Sequence, residues 1–210
     1  LSSGENGSQI IPNSEFKTIT VRDFPENIAV MERALVRLDL PEQTPVNFEI
    51  QLHLIVTSRT AMEKTNLPVG LESVINQLKN TLQYTGYRYI TTFLSRAKDG
   101  GSIAASGSTV PLYPVPVSYV KTNYNYKLDG ISLLRGNDVS EVIQVRALFF
   151  SLRSPVVIGT KNEIPQIEYK ESKITTGLNL REGEMVVVGS TDFGVPDEAL
   201  ILVVSVKKVK

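Results

Sequence analysis

The stretch Phe48–Val56, FEIQLHLIV, places Phe48, Ile50, Leu52, Leu54 and Val56 on every second residue. Successive side chains of a strand point to opposite faces, so this period of two puts all five on one face, and that face must be covered by another layer. A chain containing such a strand has to build a sheet with a core on at least one side. Further along, apolar and β-branched runs bounded by turn residues predict strands near Tyr87–Lys98, Tyr119–Leu128, Val142–Leu152, Gln166–Leu180, Met185–Gly189 and Leu200–Val209. From Tyr87 onward nothing reads as helix.

Two helices are predicted before that point. In the first, Pro25 suits a first-turn position and Glu26 complements the positive end of the helix dipole. Ile28, Met31, Leu35 and Leu38 then recur at helical spacing until Pro41 and Pro45 stop the run. A short alternating strand, Phe16–Val21, precedes it. In the second, Leu71, Val74, Ile75, Leu78 and Leu82 form one apolar stripe closed by Gly86, which calls for a sheet beneath it. The triple-proline stretch Val110–Val117 is expected to be an edge or an extended connection. Leu1–Gln9 is small, polar and glycine-rich, and residues 1–14 read as a disordered linker.

The glycines near the end, in REGEMVVVGSTDFG, pose a choice between a phosphate cradle and chain turns. A phosphate loop opens directly into a helix with a Lys-Ser/Thr pair or a G-x-G-x-x-G spacing. Neither spacing occurs, and the flanking runs Met185–Val188 and Leu200–Val204 read as strands, so Gly183 and Gly189 are assigned to structural turns. Catalysis is equally thin on the ground. His53 is the single histidine and lies on the polar phase of its strand with Glu49 and Gln51, where a solvated face is the expected setting, since metal sites collect several His or Cys ligands. No G-x-S-x-G elbow accompanies it. Glu168, Glu171, Glu182 and Glu184 sit among Lys170, Lys173 and Arg181, where cross-strand ion pairs explain them better than acid–base work. No cofactor, metal or catalytic residue is assigned, and no enzyme activity is expected.

Twenty-two basic and twenty-two acidic residues cancel, which leaves no global electrostatic footprint for nucleic acid. Cysteine is absent, so disulfides and thiolate chemistry are excluded. No apolar stretch approaches the roughly 20 residues of a membrane helix. Tyr87, Arg88, Tyr89, Tyr124 and Tyr126 form the one candidate binding surface, a stacking platform suited to a glycan.

Two stretches carry a family resemblance. Residues 16–58 hold a strand, then Asp23, Pro25, Glu26 and Asn27 at a helix start, Leu38 and Asp39 at its end, and the alternating strand Phe48–Val56. Residues 174–209 hold Arg181, Gly183, Glu184, Val187 and Gly189 in a turn and strand, then Asp197, Glu198 and Leu200 before a last strand. In this order they resemble the secretins, proteins of bacterial secretion systems and type IV pili: the first stretch resembles the passage from a periplasmic domain into the secretin core, the second the closing strands of that core. The middle departs from the pattern. It lacks the family's V-P-x-L-G-x-I-P-x-L-G signature, carries Ser190 where a second glycine is usual, and shows no convincing set of lipid-facing strands.

The resemblance implies an α+β protein: a strand–helix unit of secretin periplasmic type at 15–45, followed by a β-rich domain at 46–210 with one packed helix. It implies a non-enzymatic structural or assembly component of the bacterial cell envelope, periplasmic or associated with the outer membrane, that contacts other envelope proteins or copies of itself. The alternatives are a glycan- or peptidoglycan-binding module and a subunit of an outer-membrane secretin pore.

Overall fold

The computed structural model describes residues 8–38, 46–62, 66–113, 115–116, 120–135 and 141–209. The chain divides into two compact units, Leu1–Thr44 and Pro45–Lys210.

In the first unit β1 (Gln9–Asn13) pairs antiparallel with β2 (Thr18–Arg22), and α1 (Pro25–Leu38) follows. The Asn13 side-chain carbonyl accepts the N–H groups of Glu15 and Phe16 at 3.1 and 3.0 Å and so holds the hairpin turn. Asp23 accepts from the Phe24 N–H and the Asn27 side-chain amide just ahead of the helix; the Asn27 bond is the main reason its carboxyl titrates below the usual range. The expected linker at 1–14 is thus corrected over Gln9–Asn13, which form a strand; residues 1–7 lie outside the described residues, as do Pro41 and Pro45.

The second unit contains β3 (Asn47–Ser58), α2 (Leu71–Thr81), β4 (Gly86–Lys98), β5 (Gly101–Thr109), β6 (Thr122–Arg135), β7 (Glu141–Lys161), β8 (Ile164–Leu180), β9 (Met185–Thr191) and β10 (Glu198–Val209). They form two four-stranded antiparallel sheets, ordered β4-β3-β10-β9 and β5-β6-β7-β8. The inward phases of β3 (Phe48, Ile50, Leu52, Leu54, Val56) and β10 (Leu200, Leu202, Val204, Val206) meet Leu128, Val145, Phe150 and Leu152 of the second sheet in one buried core. Helix α2 lies on the other side of the first sheet, with Leu71, Val74, Ile75 and Leu78 on Ile55, Tyr87, Ile201 and Val203. The architecture is helix, sheet, sheet, which is β-rich with one packed helix. Val203 and Ile201 explain why β10 is a continuous apolar run: a strand covered on both faces has no polar phase.

Several local expectations are adjusted. Gly86 does not close α2, whose C-cap is Leu82; it opens β4, where a Cβ would come within 2.4 Å of the Thr60 carbonyl oxygen. Gly183 has φ +75° in the turn that carries the chain from β8 to β9, and its N–H donates to the Val206 carbonyl at 2.8 Å. That turn passes between sheets, because β9 pairs with β10 and not with β8. Gly189 is not a turn residue: it lies inside β9 opposite Leu202, beside a bulge, and a Cβ there would make ordinary contact with Ile174 at 3.5 Å. Of Val110–Val117, the described residues form no strand and connect β5 to β6, with Leu112 buried.

Candidate assembly surfaces

The five residues of the tyrosine-rich candidate surface are not brought together. Tyr87 and Tyr89 face α2, and Tyr87 is buried under it with the Lys79 ammonium 5.7 Å from its ring. Burial also drives the Tyr87 hydroxyl's pKa upward. Tyr124 and Tyr126 point the other way, into the core between the sheets, where the Phe93 ring lies 4.3 and 5.6 Å from theirs and the Tyr126 hydroxyl bonds Ser95 at 2.7 Å. Arg88 donates to the Leu112 carbonyl and fixes the β5–β6 connection. These aromatics are packing residues, and their split between two layers leaves no exposed tyrosine platform for a glycan.

His53 is 2% exposed, which corrects the expectation of a solvated strand face. Its Nδ1 lies 2.6 Å from Thr92 Oγ1, which in turn bonds the Tyr89 hydroxyl at 2.8 Å. Nε2 is buried and has no partner among the described residues. Desolvation lowers the imidazole's pKa. Glu49, on the same phase of the strand, is held by Arg96 at 3.0 Å. Among the described residues no three His, Cys, Asp or Glu side chains are placed to hold a metal ion. Glu184 accepts the Arg181 N–H at 3.0 Å, whereas Glu168 pairs with Lys170 at 2.7 Å and Glu171 with Lys173 at 3.0 Å, along one strand and not across strands. Residues two apart share a face, so the pairing needs no second strand. Lys208 joins Glu141 and Glu182, tying β10 to β7 and to the turn after β8, and Glu141 is the main cause of the ammonium's raised pKa.

What the second unit does expose is sheet edge. Each sheet ends in two strands whose outer main-chain groups no described strand pairs: β4 and β9 in the first, β5 and β8 in the second. With every pair antiparallel and four strands per sheet, the two edges of a sheet run in opposite directions. Beside β9, α2 leaves two clefts of about 330 and 360 Å³ that share Val74 and Gln77; one is floored by Met185 and Ser205, the other by Val187 and Ile201.

The outer face of the second sheet changes character along its length. Asn123, Asn125 and Lys127 of β6 and Glu171, Lys173 and Thr175 of β8 are exposed and polar. β6 pairing ends at Asn123 opposite Arg153, whereas β7 and β8 stay paired out to Lys161 and Ile164. Over that overhang the same face carries the buried Pro155, the half-buried Val157, Pro165 and Ile167, and the exposed Tyr169, while Ile158 at the β7 bulge and Ile164 on the opposite phase are 58% and 69% exposed. Pro155 is tolerated in the strand because β6, which would have needed its N–H, has already ended. Arg153 caps the boundary, its guanidinium 5.0 Å from the Tyr169 ring.

No helix among the described residues is long and apolar enough to cross a membrane. No family model matches the chain, and no curated protein matches it. Among solved structures it is similar to the type II secretin GspD of enteropathogenic Escherichia coli, at 12% identity over 97% of this chain and 79% of that one, with a TM-score of 0.41. It is also similar to the type IV competence pilus secretin PilQ of V. cholerae, at 13% identity over 97% and 70% of the two chains and a TM-score of 0.41. The type II secretin XcpQ of Pseudomonas aeruginosa matches at 9% identity over 98% and 69%, with a TM-score of 0.45. All three are secretins, the family that the motifs at 16–58 and 174–209 resemble.

Proposed function

We propose that this protein is a non-enzymatic assembly component of the bacterial cell envelope, working through contacts with copies of itself and with other envelope proteins. The observation that carries the reading is the pair of sheets with free edges of opposite direction. Exposed edges are templates for adding strands, and soluble monomers usually blunt them. Here β4 and β9, and likewise β5 and β8, suit a head-to-tail contact that repeats from copy to copy and closes into a ring if the rotation allows. The secretin-like motifs at both ends of the sequence support placing such an assembly in a secretion or pilus apparatus, with residues 15–45 as a periplasmic-type unit ahead of the sheets. Native mass spectrometry of the purified chain is expected to give closed multimers; a monomer at every concentration, with and without detergent, overturns the reading.

A second reading, a subunit of an outer-membrane pore, is favoured by the β7–β8 overhang. Apolar residues face outward there while Gln166 and Glu168 take the opposite phase, the alternation of a lipid-facing strand with an aromatic at its border. Vesicle flotation tests it: binding is expected, and Val157→Glu together with Ile167→Glu, a cross-strand pair on the outward phase, is expected to abolish it. Assemblies that never float set this second reading aside and leave the first intact.

A further inference from the structure

We propose that the groove between α2 and β9 binds a single-chain anionic amphiphile, its headgroup at Lys207 and Ser205 and its alkyl chain between Leu78 and Val187. The site stands apart from self-association and needs no second copy. Three observations converge on it.

The first is a change of polarity along one groove. The two clefts beside β9 share Val74 and Gln77, so they are successive stretches of one trough that follows α2. The stretch at the start of the helix, about 330 Å³, is lined by Gln51, Ser73, Ser205 and Lys207. The stretch at the helix end, about 360 Å³, is lined chiefly by Val74, Leu78, Leu82, Val187 and Ile201. On β9 the floor passes from Met185 to Val187, two residues apart and therefore on one face. From Ser73 to Leu82 the helix rises about 13 Å, which accommodates a headgroup and a medium-length chain.

The second is the sign of the polar stretch. Lys207 is exposed and is the one charged residue among the described residues that line it. The neighbouring acids in register and sequence are engaged elsewhere: Glu49, opposite Lys207 on β3, with Arg96, Glu182 with Lys208, and Glu184 with the Arg181 N–H. Helix α2 adds to the same sign. Its N-cap is Gly70, which has no side chain to take up the first-turn N–H groups, and those groups form the positive end of the helix dipole. Glu72, the acidic residue of that turn, is exposed and not part of the lining.

The third is a hydroxyl without a partner. From Ala199 to Val206, β10 is apolar except for Ser205. Ser205 is 2% exposed and forms the floor of the polar stretch, and its Oγ makes no hydrogen bond within the described residues. Buried polar groups normally have a partner, and a ligand oxygen supplies one here. Gly183 lines this stretch too, but its N–H donates to the Val206 carbonyl, so the glycine turn is a wall and not a donor.

Calorimetric titration of the full chain with monooctyl phosphate, below its micelle concentration and without vesicles, reads this groove and not the β7–β8 overhang. One molecule is expected to bind per chain, about tenfold tighter than inorganic phosphate or octyl glucoside, and affinity is expected to rise up to about fourfold per methylene from hexyl to octyl phosphate. Lys207→Gln is expected to weaken monooctyl phosphate about tenfold, by removing a charged hydrogen bond. Val187→Gln is expected to flatten the dependence on chain length. Both positions are exposed, so the wild-type thermal melt is expected in each. Gln77→Glu, at a solvated position of α2 where the two stretches meet, sets a like charge beside the headgroup and is expected to weaken binding whether or not Val187→Gln folds. The proposal is overturned by the absence of binding, by equal affinity for octyl glucoside or for inorganic phosphate, or by binding that survives Lys207→Gln and Gln77→Glu. Native mass spectrometry of the same sample reads assembly separately, so loss of this site leaves the assembly reading where it stands.

Discussion

The two sheets share one core and differ in what lies on their outer faces. The first is covered: Ile55, Ile201 and Val203 face outward and are buried under α2. The second is open, its outward rows Asn123–Arg153–Glu171 and Asn125–Ser151–Lys173 solvated and ion-paired. The consequence is visible in the strands. β8 alternates between exposed polar and half-buried or buried residues, while β10 is apolar almost without a break because both its faces meet protein. A continuous apolar strand therefore reports coverage on two sides, and an alternating one reports coverage on one. The difference also separates roles: the covered sheet has a helix-walled groove at its edge, and the open one has a polar wall with an apolar overhang.

The shared core is the place to break both sheets at once. Phe150 is fully buried on the inward phase of β7, 6.2 Å ring to ring from Phe93 of the other sheet. Phe150→Ala removes a ring that nothing nearby can replace and is expected to cost about 3–5 kcal/mol by urea denaturation, with the two sheets still unfolding together. Separate transitions for the two sheets would show that the core does not couple them.

The covering layer gives the next effect down. Leu78 is 8% exposed and touches only the outer face of the first sheet and the groove beside it. Leu78→Ala is expected to cost roughly 2 kcal/mol, the low end for a buried leucine, because one side of the site already opens into a cleft. It should leave the inter-sheet aromatics undisturbed, so near-ultraviolet circular dichroism is expected to change little. A loss as large as that of Phe150→Ala would mean that α2 is part of the main core and not a layer laid upon it.

Much of this arrangement is legible in the sequence, and the parts that are not share a cause. The period of two in Phe48–Val56 and the helical stripe Leu71–Leu78 are local patterns, and both reappear as β3 and α2. Strand β5 escapes the pattern because Gly101–Thr109, GSIAASGST, is mostly glycine, alanine and serine, with only Ile103 and Thr109 of the β-branched and aromatic residues that mark a strand; it is one because β6 supplies its partners. Tyr87 and Tyr124 look alike locally, and only the order of strands decides that one faces the helix and the other the core. The groove at β9 depends on which strands end the sheet, a property of the whole topology that no window of residues contains. For His53 there is a signal. The apolar run Leu54-Ile55-Val56 directly after it already breaks the alternation, as expected where the second face of β3 becomes covered too.

That burial of His53 yields the smallest effect and the sharpest contrast between the two outer faces. The imidazole sits on the covered face with Thr92 on Nδ1 and nothing on Nε2 among the described residues, so protonating the ring would place a charge in a dry site and leave the Nε2 proton without an acceptor. Its pKa in the folded state is accordingly depressed by desolvation. Above the unfolded histidine's pKa of about 6.5 both states are neutral there and the fold has its full stability. As pH falls through that value the unfolded chain takes up the proton first, so stability declines, and it stops declining once the folded pKa is passed. Glu198 titrates with the opposite sign, its carboxyl raised by burial, so the difference between variants is the quantity to read and not the slope of the wild type alone. His53→Gln keeps an amide within reach of Thr92 and removes the titration. Denaturation midpoints between about pH 7 and 5 are expected to fall more steeply for the wild type than for His53→Gln. No comparable slope is expected from the open sheet, whose outward Glu171 already has its pKa lowered, first by Lys173, and stays ionised across that range. Parallel curves for wild type and His53→Gln would mean that water or a partner reaches Nε2, and that this part of the first sheet's outer face is not covered after all.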